Sequence, residues 1–495
     1  MNIQLDAAQF WMLSPQLSVV LLGFLVLGMD LITKRKLPTF LVALFGLVVP
    51  LFFTVTLSLG TFGTHPPRAF FGMFAADGFA LFFDYLFLAI GFGVILVSYG
   101  YAGKFLRATR GEYYSVILLS LAGMMLMGST TELISIYISL ELTSIPLYVL
   151  AGLMRHETRS AEAAVKYVLL GAMSSAILLY GLALLYGVTG STDLGEIAKS
   201  VTTVLHGGNL VLLAADVFIF TGFGFKISAV PFHMWAPDIY EGAPSPSTLF
   251  FSIGSKAAGF AAILRIFVFG GLIGPSSAYL WVMVAIVAAV TMTLGNIVAL
   301  LQSNIKRMMA YSSIGQAGYL LVGLAALMLH NTPEGMLSML AFLAVYIVTN
   351  IGVFTGIIGL ADATGKENIR DFDGLGRRAP WIAFGMSLAL LSLAGIPPMA
   401  GFLSKLFILA TAWGSGSQLA WLVILGLINS AISIVYYTNV VWRMFAFEPP
   451  KKDRLAMPAA INIGMALAVA GILALTVVFG LLANQILTGG AGLFK

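Results

Sequence analysis

Four charged side chains lie inside long apolar runs of this sequence, where ionisable groups are rare. They are Glu141, Lys226, Lys256 and Lys405. A charge at the centre of a bilayer costs at least about 2.5–3.5 kcal/mol on insertion scales, so such residues are kept for a function or for helix packing. Burial disfavours the charged form of a lysine and a nearby carboxylate favours it. The set predicts a proton relay, in which Glu141 and Lys226 exchange a proton and Lys256 passes it towards Lys405.

Two of these lysines lie beside proline breaks. Lys226 precedes Pro231 in GFGFKISAVP, and Lys405 follows Pro397 and Pro398 in GIPPMAGFLSKLF. Proline lacks an N–H and clashes with the preceding turn, so it interrupts a helix. Carbonyl groups freed at such a break can bind water or a cation where the break faces protein or a cavity. A plain kink for packing is the alternative at Pro231.

Further polar residues are candidates to support the relay. Small neighbours of Lys256 are expected to leave room for water: Gly254, Ala257 and Ala258. The segment before residue 246 is read as a loop that forms either a proton entry or a hydrogen-bonded clamp, through His233, Trp235, Asp238, Tyr240 and Glu241. Hydroxyl and amide groups near residue 312 are expected either to hold a water chain between Lys256 and Lys405 or to join neighbouring helices. These groups belong to Tyr311, Ser312, Ser313 and Gln316.

The remaining charges within the apolar runs are expected to have local roles. Four carboxylates are predicted to be interface or capping charges: Asp30, Asp84, Glu132 and Asp216. Arg265 is expected to snorkel, which places its guanidinium at the membrane surface while the stem stays in the apolar region.

The composition identifies the elements that must carry these residues. The chain has 495 residues, of which 59% are hydrophobic and 9% charged, whereas soluble domains carry roughly 25% charged residues. Its apolar runs reach the ~20 residues that span a bilayer as a helix. They are continuous rather than alternating, which favours helices over a β-barrel. The sequence therefore predicts an all-α polytopic membrane protein.

Several chemistries are excluded or disfavoured. The chain has no cysteine, which excludes disulfides and thiolate-held iron–sulfur clusters. Its five histidines are scattered without metal-ligand spacing, so no metal site is predicted. The GLGRRA stretch at residues 374–379 matches a dinucleotide fingerprint, but no strand precedes it. The basic residues lie mostly in loops, so the net charge of +5 does not indicate nucleic-acid binding.

About fourteen spans are predicted, although the short GSTT turn after residue 127 leaves thirteen open. Most of the lysines and arginines lie in odd-numbered loops, whereas the even-numbered loops and the C-terminus hold Arg68, Lys199 and Lys495. The positive-inside rule then places the odd loops in the cytoplasm and both termini outside. Spans seven and twelve, both broken, cross in opposite directions and indicate two inverted five-helix repeats. The predicted divisions are helices 1–3 at 1–112, repeats at 113–271 and 272–446, and helix 14 at 447–495.

Four motifs resemble one family. VPFHMWAPDIYEGAPSPSTLFFSIGSKAAGF, SLELTSIPLYVL, NIKRMMAYSSIGQAGYLLVG and LSLAGIPPMAGFLSKL are similar to the antiporter-like membrane subunits of respiratory complex I, which are relatives of multi-subunit sodium/proton antiporters. The resemblance covers roughly residues 80–445. The SLEL context, the length and the absence of a long lateral helix after span fourteen make it closest to the N type of NADH-quinone oxidoreductase subunit.

This resemblance implies roles for particular positions. Glu141 and Lys226 match the family's carboxylate–lysine pair, Lys256 matches the connecting lysine, and Lys405 matches the basic residue of the second broken helix. Gln316 stands where many relatives have histidine, and because glutamine does not titrate, water would have to carry that step.

The implied function is proton translocation driven by quinone reduction in a multi-subunit complex. The resemblance implies other membrane subunits as partners, no cofactor in this chain, and flavin or ferredoxin input, iron–sulfur clusters and quinone in other subunits. It also implies a bacterial inner membrane or a thylakoid-type membrane. A cation/proton antiporter of the same fold is the first alternative, and a scaffold that carries no protons is the second.

Overall fold

The computed structural model of the protein describes residues 7–33, 35–60, 68–204, 210–273, 278–330, 332–449 and 453–487. Both chain termini, and so their predicted position outside, lie beyond the described residues. The described chain is almost wholly α-helical, because backbone groups in lipid must find their hydrogen-bond partners within the segment. The prediction of an all-helical polytopic membrane protein is confirmed. The chain divides into two compact units, residues 1–280 and 281–495.

The first unit is built around α6, which packs against α2, α5 and α7, and around α8, which packs against α10. Its helices are α1 (Ala7–Met12), α2 (Ser14–Thr33), α3 (Lys36–Phe45), α4 (Val48–Gly60), α5 (Gly78–Phe105), α6 (Arg110–Ser129), α7 (Leu133–Ala151), α8 (Thr158–Thr189), α9 (Leu194–Val204), α10 (Leu210–Lys226), α11 (Trp235–Gly242), α12 (Ser245–Phe250) and α13 (Lys256–Leu264). Two π-helical turns, Phe251–Ser255 and Arg265–Phe269, continue α12 and α13 into one long element.

A small hairpin fastens one end of the first unit. Strands β1 (Arg68–Ala69) and β2 (Phe74–Ala75) pair in antiparallel fashion. The backbone N–H of Thr131, in the turn between α6 and α7, donates to Met73 O at 2.8 Å, and Leu194 N–H donates to Thr131 O at 3.0 Å. These bonds tie the hairpin, the α6–α7 turn and the start of α9 together, and α6 and α7 are separate helices on either side of that turn.

The second unit begins within α14 and is arranged around α16, which packs against α15, α18, α19 and α21. Its helices are α14 (Ala278–Ala299), α15 (Ile305–His330), α16 (Pro333–Thr364), α17 (Leu375–Arg378), α18 (Pro380–Ala394), α19 (Ala400–Gly414), α20 (Ala420–Ala446) and α21 (Ala459–Leu487), with 3₁₀ turns at Ile369–Phe372 and Ser417–Leu419.

Within the described residues, twelve helical elements are long and apolar enough to cross a membrane. The counterparts of the predicted seventh and twelfth spans are interrupted instead. The seventh ends at Lys226 and resumes at Trp235, and the twelfth pauses between Ala394 and Ala400. The total of fourteen spans and the inverted repeats stay predictions.

The expectation that Arg265 snorkels to the membrane surface is wrong. Its side chain is fully buried and forms two hydrogen bonds of 2.7 Å with the two carboxylate oxygens of Asp77, the N-cap residue of α5. Its Nε donates to Gly128 O at 2.9 Å, and its guanidinium lies over the rings of Phe79 and Phe269. A planar, five-donor group satisfied on every side has no need to reach water.

Replacing Asp77 with alanine is expected to lower the stability of the chain by about 3–5 kcal/mol, since it leaves a buried guanidinium without its counter-charge. The measurement is the thermal midpoint of the purified protein in membranes or detergent, together with the amount of chain that accumulates. The control is Lys199→Ala, which removes the exposed pair of Lys199 with Glu196 and should change neither quantity. Equal behaviour of the two variants would contradict a stabilising role for the Asp77–Arg265 pair.

Candidate functional site

Lys226 is the last residue of α10 and has 4% of its surface exposed. Its Nζ donates to Ser144 Oγ on α7 at 2.7 Å. Glu141, one turn before Ser144 on α7, accepts a hydrogen bond from Ser175 Oγ on α8. A cavity with room for about one water molecule is lined by Ser144, Ser175 and Lys226. Among the described residues Glu141 and Lys226 form no direct ion pair, and they are linked instead through serines that line one cavity.

Glu141 is less covered by the chain than the three lysines are. It is half-buried, and it shares a helical face with Ile138 and Ile145, which are 59% and 56% exposed. Residues three and four apart lie on the same side of a helix. Glu141 therefore lies at the edge of an exposed apolar strip of α7. The spacing of apolar residues in the sequence of α7 does not show whether this strip is exposed or buried.

The interruption after Lys226 begins before the proline that predicted it. Helix α10 ends at Lys226, four residues short of the predicted limit at 230, and Ser228 adopts a left-handed φ of 59°. The carbonyl of Phe225, in the last turn of α10, accepts hydrogen bonds from Ser228 N–H at 3.0 Å and from Trp235 Nε1 at 2.8 Å. The exposed Pro231 lies farther along the connection, after a cis peptide bond.

The segment predicted as a loop before residue 246 contains a helix, so that expectation is wrong. Helix α11 starts at Trp235, whose ring stacks on Tyr167 of α8 with centroids 4.8 Å apart. Lys166 Nζ on α8 lies 2.7 Å from Asp238 Oδ2, and Arg159 lies 3.6 Å from Glu241. The loop reading failed because two prolines and polar residues flank a helix of only eight residues. These contacts are those of a clamp that holds α11 against α8.

His233 lies in the connection between α10 and α11 and is half-buried. Its Nδ1 is buried and makes no hydrogen bond within the described part of the chain. The described contacts do not join His233 to Lys226, so its predicted support of the relay stays a prediction.

Lys256 is buried, with 2% of its surface exposed, and it begins α13 directly after the π-helical turn. Ser255, the residue before it, lies with its Oγ 3.5 Å from Lys226 O. A Cβ added to Gly259 would come within 2.8 Å of Ile227 Cγ2 and 3.4 Å of Lys226 Cγ. Helix α13 therefore crosses directly against the end of α10, which brings the elements that carry the two lysines together.

The expected water space beside Lys256 is filled by protein at one of its three positions. A Cβ on Gly254 would meet Met124 Cε at 2.9 Å. Ala257 and Ala258 are fully buried. Small residues permit close helix packing as readily as they permit hydration, and at Gly254 the structure uses the space for Met124.

Lys405 lies in the second unit, on α19, with 4% of its surface exposed. Its Nζ donates to Leu393 O at 2.8 Å and to Ala394 O at 3.0 Å, which are the last two carbonyls of α18. Gly395 ends α18 with φ of 83°, a left-handed conformation that favours glycine. The carbonyls at the break therefore accept hydrogen bonds from the side-chain nitrogen of Lys405.

The two broken elements therefore share a geometry. Lys226 ends the first half-helix in the first unit, and the Lys405 ammonium lies against the end of the first half-helix in the second. The negative end of a helix dipole favours a cation there. Pro397 and Pro398 are exposed within the break, whereas the Lys405 side chain lies at its carbonyl end.

A buried hydrogen-bond network extends from the Lys405 site. Gln316 Nε2 donates to Leu393 O at 3.2 Å and lies 3.4 Å from Tyr437 OH, and Tyr437 hydrogen-bonds Ser312. Lys405 and Gln316 therefore share one carbonyl acceptor. Of the predicted support residues, Ser312 and Gln316 are brought to Lys405, whereas Tyr311 is half-buried and makes no side-chain hydrogen bond among the described residues.

Sequence reasoning missed several members of these networks. Ser144 and Ser175 bind the two charged groups of the first unit, and Tyr437 joins Gln316 to Ser312. A second chain runs from Tyr436 OH to Asn296 Oδ1 at 3.0 Å and from Asn296 Nδ2 to Asn429 Oδ1 at 3.3 Å. The sequence offered one signal for these residues, which is that each is an isolated polar residue in an apolar helix. Such a group needs a hydrogen-bond partner in lipid.

The sequence profile of the family described as NADH:quinone oxidoreductase/Mrp antiporter, TM matches residues 130–433. The chain belongs to this family. The matched region contains Glu141, Lys226, Lys256 and Lys405 and both helix breaks, and the resemblance inferred from the four motifs is confirmed.

Individual relatives show which type of subunit within the family this chain resembles. The chain is 44% identical over 483 residues to NADH-quinone oxidoreductase subunit N 2 of Symbiobacterium thermophilum, covering 94% of this chain and 93% of that one. It is 41% identical to subunit N of Dehalococcoides mccartyi, with 96% of each chain covered. A chain of respiratory complex I from Thermus thermophilus with bound Aureothin superposes with a TM-score of 0.77 at 30% identity, covering 95% of this chain and 99% of that one.

Proposed function

We propose that this chain is the proton-translocating N subunit of an NADH-quinone oxidoreductase complex. Relatives at 44% and 41% identity carry that name. The observation that supports it most directly is the placement of three lysines, each at most 4% exposed, in and against two broken helical elements. An ammonium kept from bulk water is well suited to gain and lose a proton as its surroundings change.

In this proposal Glu141, Lys226, Lys256 and Lys405 form the relay. Lys226 exchanges its proton with Glu141 through the cavity between Ser144 and Ser175, because hydroxyl groups both donate and accept. Lys256 receives the proton where α13 crosses the end of α10. Lys405 holds it at the carbonyls of Leu393 and Ala394, and Gln316 serves as a fixed donor beside it rather than as a proton carrier.

Redox energy is released in other subunits, which hold the flavin or ferredoxin input, the iron–sulfur clusters and the quinone. Lipid can cover the exposed apolar strip of α7, but it is a poor environment for an ionisable group at the edge of that strip. Glu141 lies at the edge of that strip, and an ionisable group there is stabilised when a partner or water covers it. The proposed location is the bacterial inner membrane, with the odd-numbered loops in the cytoplasm.

Purification of the tagged chain from its native membrane tests the proposal. We expect flavin- or ferredoxin-linked iron–sulfur subunits to co-purify, and we expect the preparation to reduce a quinone. Recovery solely with other antiporter-like subunits, together with sodium-dependent proton exchange and no quinone reduction, would instead identify a cation/proton antiporter.

A further inference from the structure

A buried carboxylate lies in the first unit, apart from the residues assigned to the relay. Asp84 on α5 has 2% of its surface exposed, and no lysine, arginine or histidine forms an ion pair with it among the described residues. Both of its carboxylate oxygens accept from a single donor, Gln16 Nε2 on α2, at 3.2 Å each. Of the two roles expected for Asp84, the capping role is wrong, since the cap of α5 is Asp77.

The surroundings of Asp84 form a built polar site. Gln16 is 3% exposed, and its Nε2 also lies 3.1 Å from Ser129 Oγ on α6. Gln16 Oε1 is buried and makes no hydrogen bond within the described chain. The three side chains line a cavity with room for about one water molecule, whose other walls include Leu13, Leu57 and Leu81.

Of the residues that the structure describes, none with a positively charged side chain lines the cavity beside Asp84. The nearest charged group along α5 is Asp77, about 10 Å earlier at the rise of a helix, and it is already paired with Arg265. The elements that pack around Asp84 contribute the neutral Gln16 and Ser129 and otherwise apolar walls. An ionised carboxylate without a cation is costly in such a setting, and a single positive charge removes the cost.

We propose that Asp84, bound by Gln16, which in turn contacts Ser129, is a reversible proton-binding site separate from the lysine relay. Rotation of the Gln16 amide matches both states, because Nε2 donates to the carboxylate and Oε1 accepts from the carboxylic acid. A hard metal cation takes about six oxygen ligands, more than three side chains and a one-water cavity supply. Ala75 and Ala76, just before the start of α5, also line the cavity.

Infrared difference spectroscopy of the purified, assembled complex tests this site. In the wild-type minus Asp84→Asn spectrum at neutral pH, we expect a carbonyl band of a carboxylic acid that shifts in deuterated water and disappears as the pH rises. The matched control is Glu132→Gln. Glu132 is also buried, but its carboxylate accepts from Ser135 N–H at 2.7 Å and from Ser135 Oγ at 2.9 Å as the N-cap of α7, and we expect no acid band in the wild-type minus Glu132→Gln spectrum.

Two further measurements distinguish a proton-binding Asp84 from a merely structural carboxylate and from a sodium site. Gln16→Leu removes the acceptor for the acid proton, so the band should move to higher frequency, an effect that a merely structural carboxylate would not show. Replacing choline chloride with sodium chloride should leave the band unchanged. Absence of the band at every pH, or its loss on adding sodium, would overturn the proposal. The band requires no proton pumping, so this result is independent of whether the relay proposal holds.

Discussion

Replacing Lys226 with methionine is expected to lower proton pumping and coupled quinone reduction by about a hundredfold, the scale at which a positioned acid–base group acts. Lys226 Nζ is the group that faces Ser144 and the cavity shared with Ser175. Methionine fills similar volume without a titratable group, so the proton path between Glu141 and Lys256 is interrupted. The measurement is proton uptake by vesicles that contain the assembled complex, together with the rate of quinone reduction.

A second variant at this position separates proton transfer from helix packing. Lys226→Arg keeps the positive charge and hydrogen-bond donors, but arginine does not lose its proton in proteins. A relay predicts that pumping falls in this variant as it does in Lys226→Met, whereas a purely structural lysine predicts that arginine restores it. Lys199→Met, at a cation that is 74% exposed on α9, is the control and should leave pumping unchanged.

Replacing Lys405 is expected to have two separable effects. Lys405→Met removes the shortest donor of the Leu393 and Ala394 carbonyls and leaves them only the longer bonds from Gln316 and from Ser433, and a buried hydrogen bond contributes about 0.5–1.5 kcal/mol. We therefore expect a lower thermal midpoint of the complex as well as a loss of pumping of about a hundredfold. Lys405→Arg keeps donors at the break, so it should recover most of the stability without recovering pumping.

The control for the second unit is Lys366→Met, because Lys366 is 65% exposed and lies 3.8 Å from Asp371. It should change neither the thermal midpoint nor pumping. Full pumping in Lys405→Arg, with the complex intact, would mean that Lys405 serves the break as a fixed cation and would remove it from the relay.

The sequence by itself was enough for the class of fold and for the four relay candidates. An apolar chain in lipid can satisfy its backbone in few ways, so the span pattern alone predicts a helical membrane protein. Ionisable residues stand out against such a background, which is why Lys226, Lys256 and Lys405 were found without any contact information. The paired proline breaks were visible for the same reason, because proline acts on its own local backbone.

Tertiary structure decided what each of these groups touches. Whether Arg265 reaches water or Asp77, and whether Gly254 admits water or Met124, depends on helices that are distant in the chain. The same holds for Ser175, which binds Glu141, and for the Leu393 carbonyl that Lys405 and Gln316 share. Helical periodicity states which face a residue occupies but not which helix covers that face.

Helix α11 and the Asp84 site show most clearly what could not be predicted from the sequence. A short helix is marginal by itself and forms here because Trp235 packs on Tyr167 and bonds the end of α10. Asp84 resembled a boundary charge because it lies near the start of a predicted span, whereas its polar neighbours Gln16 and Ser129 come from α2 and α6. Local chemistry in the sequence therefore determined which residues carry charge into the membrane, and only the packing of separate helices decided which of those charges are paired, shared or left to take up a proton.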